Sequence, residues 1–117
     1  MNSLIEKIFA DFEVDNKKIP VSFMNYTGKS TTYITYQSIS NDGTLVGDDE
    51  VLAYIDYYDF DIYSKGNYFK IVREVKKVLK DNGFMWQPSM SSEDFEKDTG
   101  YYHKTLCFAI EKIESEE

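Results

Sequence analysis

The residues of this chain that could do chemistry are few, and the most suggestive are Asp59 and Asp61, two apart in a stretch of alternating character with Asp56 just before them. At that spacing two side chains leave a strand on one face, where a carboxylate pair could act as acid and base or hold a divalent cation. No histidine, asparagine or further acid stands at a spacing that completes either arrangement. Carboxylates at alternate positions of a half-covered strand belong to its wet face, so the expectation is a solvated pair. His103, the only histidine, opens the last strand pattern beside Tyr101 and Tyr102, with no motif that supplies a nucleophile, and reads as a structural or surface residue. Cys107 has no second cysteine to pair with and no set of histidines for zinc, so it reads as a small strand residue in a reducing compartment. Gly28-Lys29-Ser30-Thr31 matches the end of a phosphate-binding loop, but Phe23 stands where that loop needs its first glycine, so the tetrad is an ordinary turn. The expectation is a protein that is not an enzyme, with no catalytic, cofactor or metal residues. Replacing Asp59, Asp61 or His103 by Asn or Gln is then expected to cost within about 0.5 kcal/mol if they are exposed.

Both aspartates are carried by the stretch around which the chain is organised, a strand over residues 51–63 that turns through Ser64-Lys65-Gly66 into an amphipathic helix. From Tyr58 the strand alternates, with Tyr58, Phe60 and Ile62 on the core face and Asp59, Asp61 and Tyr63 on the other. Its first half, Val51-Leu52-Ala53-Tyr54-Ile55, is apolar on both faces and needs a second cover. At about 3.3 Å per residue the stretch would run roughly 43 Å, against a diameter of roughly 35 Å for a compact domain of this size. The strand must therefore bend at a bulge, placed at Asp56-Tyr57-Tyr58, or project as an arm that wants a partner. Self-association is the leading inference from this pattern.

The helix that follows is capped by Asn67, buries Ile71, Val72, Val75, Val78 and Leu79 in one stripe, and stops at Asn82-Gly83. An earlier helix is predicted from a capping box, Ser3 with Glu6, and the stripe Leu4, Ile5, Ile8, Phe9, Phe12, ending near Glu13. After a polar turn over residues 15–18 come strands at 21–25 and 32–40, then an acidic loop over residues 41–50. Beyond the second helix the pattern reads as a short strand at 84–87, a polar loop at 89–100 and a last strand at 101–113. The fold expected is α+β, a mostly antiparallel sheet of about four to five strands with two helices packed on one face, in a single domain over residues 1–117.

With 117 residues, 42% hydrophobic, the chain suits one modest core, and a net charge of −8 argues against a general nucleic-acid binder. The first thirteen residues mix charges with apolar positions and make no signal segment, and no run approaches the roughly 20 apolar residues that span a bilayer. A soluble protein made in the cytoplasm is expected. Ten tyrosines and eight phenylalanines supply large buried area with polar handles, which suits both cores and interfaces.

Three stretches together carry a resemblance: Thr32-Tyr33-Ile34-Thr35-Tyr36, Asp61-Ile62-Tyr63-Ser64-Lys65 and Thr99-Gly100-Tyr101-Tyr102-His103-Lys104. In this order and spacing, over nearly the whole chain, they resemble the tail-completion or tail-terminator proteins of long-tailed bacteriophages and prophages. One departure is Ser30-Thr31-Thr32, where a proline often precedes the first long strand. The resemblance implies a subunit that assembles as a ring, typically a hexamer, at the head-proximal end of the tail tube. There it stops tube growth and offers a docking face to the head connector, with DNA passing through the ring but not specifically bound. The implied partners are further copies of itself, the tail tube and the connector, and the implied place is the virion tail, reached from the host cytoplasm. The residues expected to meet partners are Asp42, Leu45, Val46, Asp48, Asp49 and Glu50 of the acidic loop, mobile until assembly, and Leu52, Tyr54 and Ile55 of the arm. The alternatives are another head-tail connector or minor tail protein, a monomeric acidic binding domain, and a small hydrolase in which Asp59 or Asp61 meets His103 in a concave site.

Overall fold

The long alternating stretch becomes the strand β5, Glu50–Ser64, and it lies at the centre of the sheet. The computed structural model describes the backbone of residues 2–47 and 50–113 and the side chains of residues 3–39 and 55–111. In chain order the elements are α1 (Asn2–Ile8), β1 (Glu13–Val14), β2 (Lys17–Lys18), β3 (Val21–Phe23), β4 (Tyr33–Gly47), β5, α2 (Phe69–Asp81), β6 (Met85–Trp86), a 3₁₀ turn (Pro88–Met90), β7 (Ser92–Glu96) and β8 (Tyr101–Ile113). The strands of the main sheet run β3-β4-β5-β8-β6, with β7 also on β8, and β1 and β2 form a separate hairpin. This is the expected α+β fold with a mostly antiparallel sheet, mixed only because β3 runs parallel to β4 with Val21, Ser22 and Phe23 opposite Ile34, Thr35 and Tyr36. The sheet has six strands, one more than the upper expectation, since β7 forms inside the stretch expected to be a polar loop at 89–100. Every described residue of β7 is exposed, so no apolar alternation announces it, and its pairing with β8 from Ser92↔Thr105 to Glu96↔Tyr101 makes it a strand.

Other boundaries move for physical reasons. The first helix starts at Asn2 and ends at Ile8, so Ser3 is inside it and forms no capping box, and Glu13 belongs to β1. The apolar stripe still works: Phe9 and Phe12 remain buried, carried on a succession of turns. Asp15 and Asn16 take φ of 55° and 65°, the two left-handed residues that a tight hairpin between β1 and β2 requires. Gly83 at φ 89° follows the end of α2, as the spacing predicts, but the N-cap is Tyr68, which makes no side-chain cap bond, and not Asn67, whose side chain one residue earlier accepts the N–H of Phe69 at 2.9 Å.

One hydrophobic core lies on one face of the sheet. Ile34 and Tyr36 of β4, Phe60 and Ile62 of β5, and Leu106 and Phe108 of β8 meet Ile5 and Phe9 from the α1 side and Ile71, Val75 and Leu79 of α2. Phe60 is the hub, with its ring 5.9–6.5 Å from those of Phe9, Tyr36, Tyr58, Phe84 and Phe108. The opposite face, where Tyr33, Thr35, Tyr57, Asp59, Asp61, Tyr63 and His103 lie, carries no helix among the described residues.

The acidic loop expected over residues 41–50 is instead strand through Gly47, paired with β5 from Tyr33↔Tyr63 to Gly47↔Glu50. Polar and glycine-rich composition reads locally as a loop, but a partner strand already in place supplies the hydrogen bonds that keep such residues extended. Nor does β5 bulge at Asp56-Tyr57-Tyr58, since its pairing with β8 runs without a shift from Ala53↔Ile113 to Ser64↔Tyr102. The nearest irregularity is across the ladder, where Ile39 of β4 is left over between Ser38↔Tyr58 and Ser40↔Tyr57. The hairpin is therefore long, and the molecule measures 52 × 27 × 24 Å.

Candidate functional site

Pairing of β5 with β8 assembles what no local spacing could. Tyr63↔His103 and Asp61↔Thr105 are register neighbours, so the single histidine arrives beside an acid 42 positions away. His103 Nε2 lies 2.8 Å from Asp61 Oδ1, and the Thr105 hydroxyl donates to the same oxygen at 2.6 Å. The expectation that Asp61 is a solvated carboxylate is corrected, and His103 falls on the structural side of its reading: their side chains are only 15% and 25% exposed. Chemically the arrangement is a carboxylate gripped by two donors. The Thr105 hydroxyl also lies 3.2 Å from His103 Nε2, so the three side chains form one closed network. None of these residues lines the cavity of about 810 Å³ at the other side of the β5–α2 turn.

Aromatic rings extend this cluster across the sheet. His103 stacks on Tyr63 at 4.3 Å, Tyr63 on Tyr33 at 4.8 Å and Tyr33 on Tyr26 at 4.5 Å, four rings drawn from β8, β5, β4 and the loop before β4. Tyr101 meets Tyr33 and Tyr63 edge-on. Burial, with Tyr101 and Asp61 respectively as the next causes, pushes the Tyr33 and Tyr63 hydroxyls above their ordinary pKa, so both keep their protons at neutral pH. Such cross-strand stacks stiffen a sheet face that has no helix on it.

Asp59 is also half-buried, and burial, then the charge of Asp61, holds its carboxyl above the usual range while a hydrogen bond from Cys107 pulls it back. Cys107 is fully buried, and burial followed by the nearby Asp59 pushes its thiol up to about 11, so it is an inert strand residue rather than a thiolate. Among the described residues no group of three or more His, Cys, Asp or Glu is placed to hold a metal ion.

Because Asp61 and His103 are not exposed, the small cost expected for their replacement is revised. Asp61→Asn or His103→Gln should lower unfolding stability by about 1–3 kcal/mol, the penalty of stranding a half-buried partner, as read from a denaturant melt. Losses below about 0.5 kcal/mol for both would show the network to be solvated after all.

The hairpin presents a second feature. Ile34 donates its N–H to Pro20 and Tyr36 accepts from Met24, both across the outer edge of β4. β3 covers that edge only opposite Ile34, Thr35 and Tyr36, and from Gln37 to Gly47 no strand pairs with it among the described residues. Phe23, Met24 and Ile39, near the start of this open edge, are 44%, 62% and 40% exposed. An open ladder beside exposed apolar side chains is a template for another chain.

Of the residues expected to meet partners, Asp48 and Asp49 lie outside the described residues, and for Asp42, Leu45, Val46, Glu50, Leu52 and Tyr54 only the backbone is described. That backbone places them in the outer part of the β4–β5 hairpin. Ile55 is half-buried, opposite Asp42 on one side and Glu111 on the other. The open β4 edge was missed because it is a property of which strands pair, and the sequence signal nearest to it is the apolar pair Phe23-Met24 after a short strand. No protein-family model and no curated protein matches this sequence.

Proposed function

We propose that this chain is a structural subunit that works by self-assembly, and that it forms a ring at the head-proximal end of a bacteriophage tail, where it ends tube growth and joins the tail to the head. The observation that carries the assembly part is the β4–β5 hairpin, long, with an outer edge open from Gln37 onward among the described residues. A neighbouring copy that adds a strand there satisfies peptide groups that otherwise depend on water. The phage part rests on the three sequence stretches that resemble tail-terminator proteins. No catalytic role enters the proposal, since Asp61, His103 and Thr105 satisfy one another.

Sedimentation velocity over a rising concentration series tests it, first with the chain alone and then with the tail-tube protein encoded beside it. The expected result is a species several times 13.7 kDa under at least one of these conditions. A monomer throughout both series would end the proposal.

A further inference from the structure

Charge is divided unevenly along the molecule. No lysine or arginine occurs between Lys29 and Lys65, and the β4–β5 hairpin that fills this span carries acids from Asp42 onward, with Asp42, Asp48, Asp49 and Glu50 falling toward its far end in sequence. The base of the hairpin has the opposite sign. The cavity of about 810 Å³ opens there, between the β1–β2 hairpin, the start of β4 and the first turns of α2, and it is lined by Lys17, Lys18, Lys65, Lys70 and Arg73 against a single acid, Asp15. Asp15 is taken up by Lys70 at 3.0 Å, and Lys18 lies 4.0 Å from Asp11. Among the described residues Lys17, Lys65 and Arg73 have no carboxylate partner, and Lys65 leans over the Tyr101 ring at 5.1 Å. Like charges gathered around a groove repel one another, and an anionic occupant converts that repulsion into binding.

We propose that this groove receives the acidic far end of the β4–β5 hairpin from a second copy, joining subunits head to tail. The inference rests on the self-assembly reading and adds to it which surfaces meet. The same copy cannot fill its own groove: fifteen residues of β5 separate the two ends, roughly 46 Å of extended strand. An acidic end on one copy and a basic groove on the next make a heterologous contact, which repeats from subunit to subunit and closes into a ring when the rotation permits. Because the contact is between exposed charges, it weakens as salt rises.

Charge reversal tests it by sedimentation, with a thermal melt to confirm that each variant is folded. Lys65→Glu with Arg73→Glu takes the groove lining from five cations against one acid to three against three, and Asp42→Lys with Glu50→Lys leaves two lysines against two acids at the hairpin's far end; Lys65 and Arg73 are exposed, so the groove variant keeps its fold. Each double variant alone is expected to associate at least about tenfold more weakly than the unaltered chain, and the unaltered chain to weaken in the same sense between low and high salt. Mixing the two variants should restore association in pairs, because the groove variant keeps an unaltered acidic hairpin and the hairpin variant an unaltered basic groove. Unaltered protein that assembles while both variants assemble equally well overturns the groove contact and leaves the self-assembly reading standing. Unaltered protein that stays monomeric under every condition overturns both. Reversal that abolishes retention of added inorganic polyphosphate but leaves self-association intact assigns the groove to a different anion and also overturns the inference.

Discussion

Ile55→Lys is expected to dissociate the assembly while leaving the subunit folded. Ile55 is half-buried on the face without helices, outside the core, and its cross-strand neighbours are Asp42 on β4 and Glu111 on β8. In the free subunit a lysine there has the exposed Glu111 as its β8 neighbour and water within reach, so the fold should lose less than about 0.5 kcal/mol. If a neighbouring copy covers that face, the same ammonium must be desolvated under it, at a cost of about 3 kcal/mol or more, a hundredfold or greater loss of association. Sedimentation and a thermal melt on the same samples separate the two effects. An assembly that survives Ile55→Lys, or a variant that unfolds, would show that this part of β5 is not covered by a neighbour.

Phe60→Ala should do the reverse. Phe60 is fully buried and its ring lies against five others, so truncation removes the contacts that tie Phe9 after α1 and Phe84 after α2 to the sheet. A loss of about 3–5 kcal/mol is expected, a large part of the roughly 5–15 kcal/mol that such a domain has to spare. The measurement is the urea midpoint at constant slope. A loss under about 1 kcal/mol would mean that the core collapses around the vacancy and that Phe60 is not its hub. The pair of substitutions lies on one strand, five residues apart, and divides assembly from folding.

Five residues of separation on β5 also show how far local pattern reaches. Alternation at Tyr58, Phe60 and Ile62 and the stripe Ile71, Val75 and Leu79 both turn out buried, because each depends only on which side chains a strand or helix turns to one face. Gly83 marks the end of α2 for an equally local reason, a left-handed dihedral, whereas the start falls one residue past the cap expected at Asn67. The unusual length of the central strand was legible too, as apolar and alternating residues in one unbroken run.

What only the tertiary structure decided is everything that belongs to a pair of strands. Asp61 and His103 meet because β5 and β8 align Tyr63 with His103, and a one-residue slip would put them on opposite faces. The irregularity expected in β5 lies in β4, at Ile39, since a bulge is a mismatch between two strands and either can carry it. Residues 41–47 extend although their composition favours turns, and the exposed residues of β7 form a strand although nothing in them alternates; in both, the hydrogen bonds come from a neighbour already in place. The open edge of β4 and the basic groove at the hairpin's base have the same origin. Sequence by itself determined which side chains each segment could bury, because that is written in steps of two and of three to four residues. Strand order and register determined which charges and which peptide groups were left facing outward, because those depend on contacts between residues tens of positions apart.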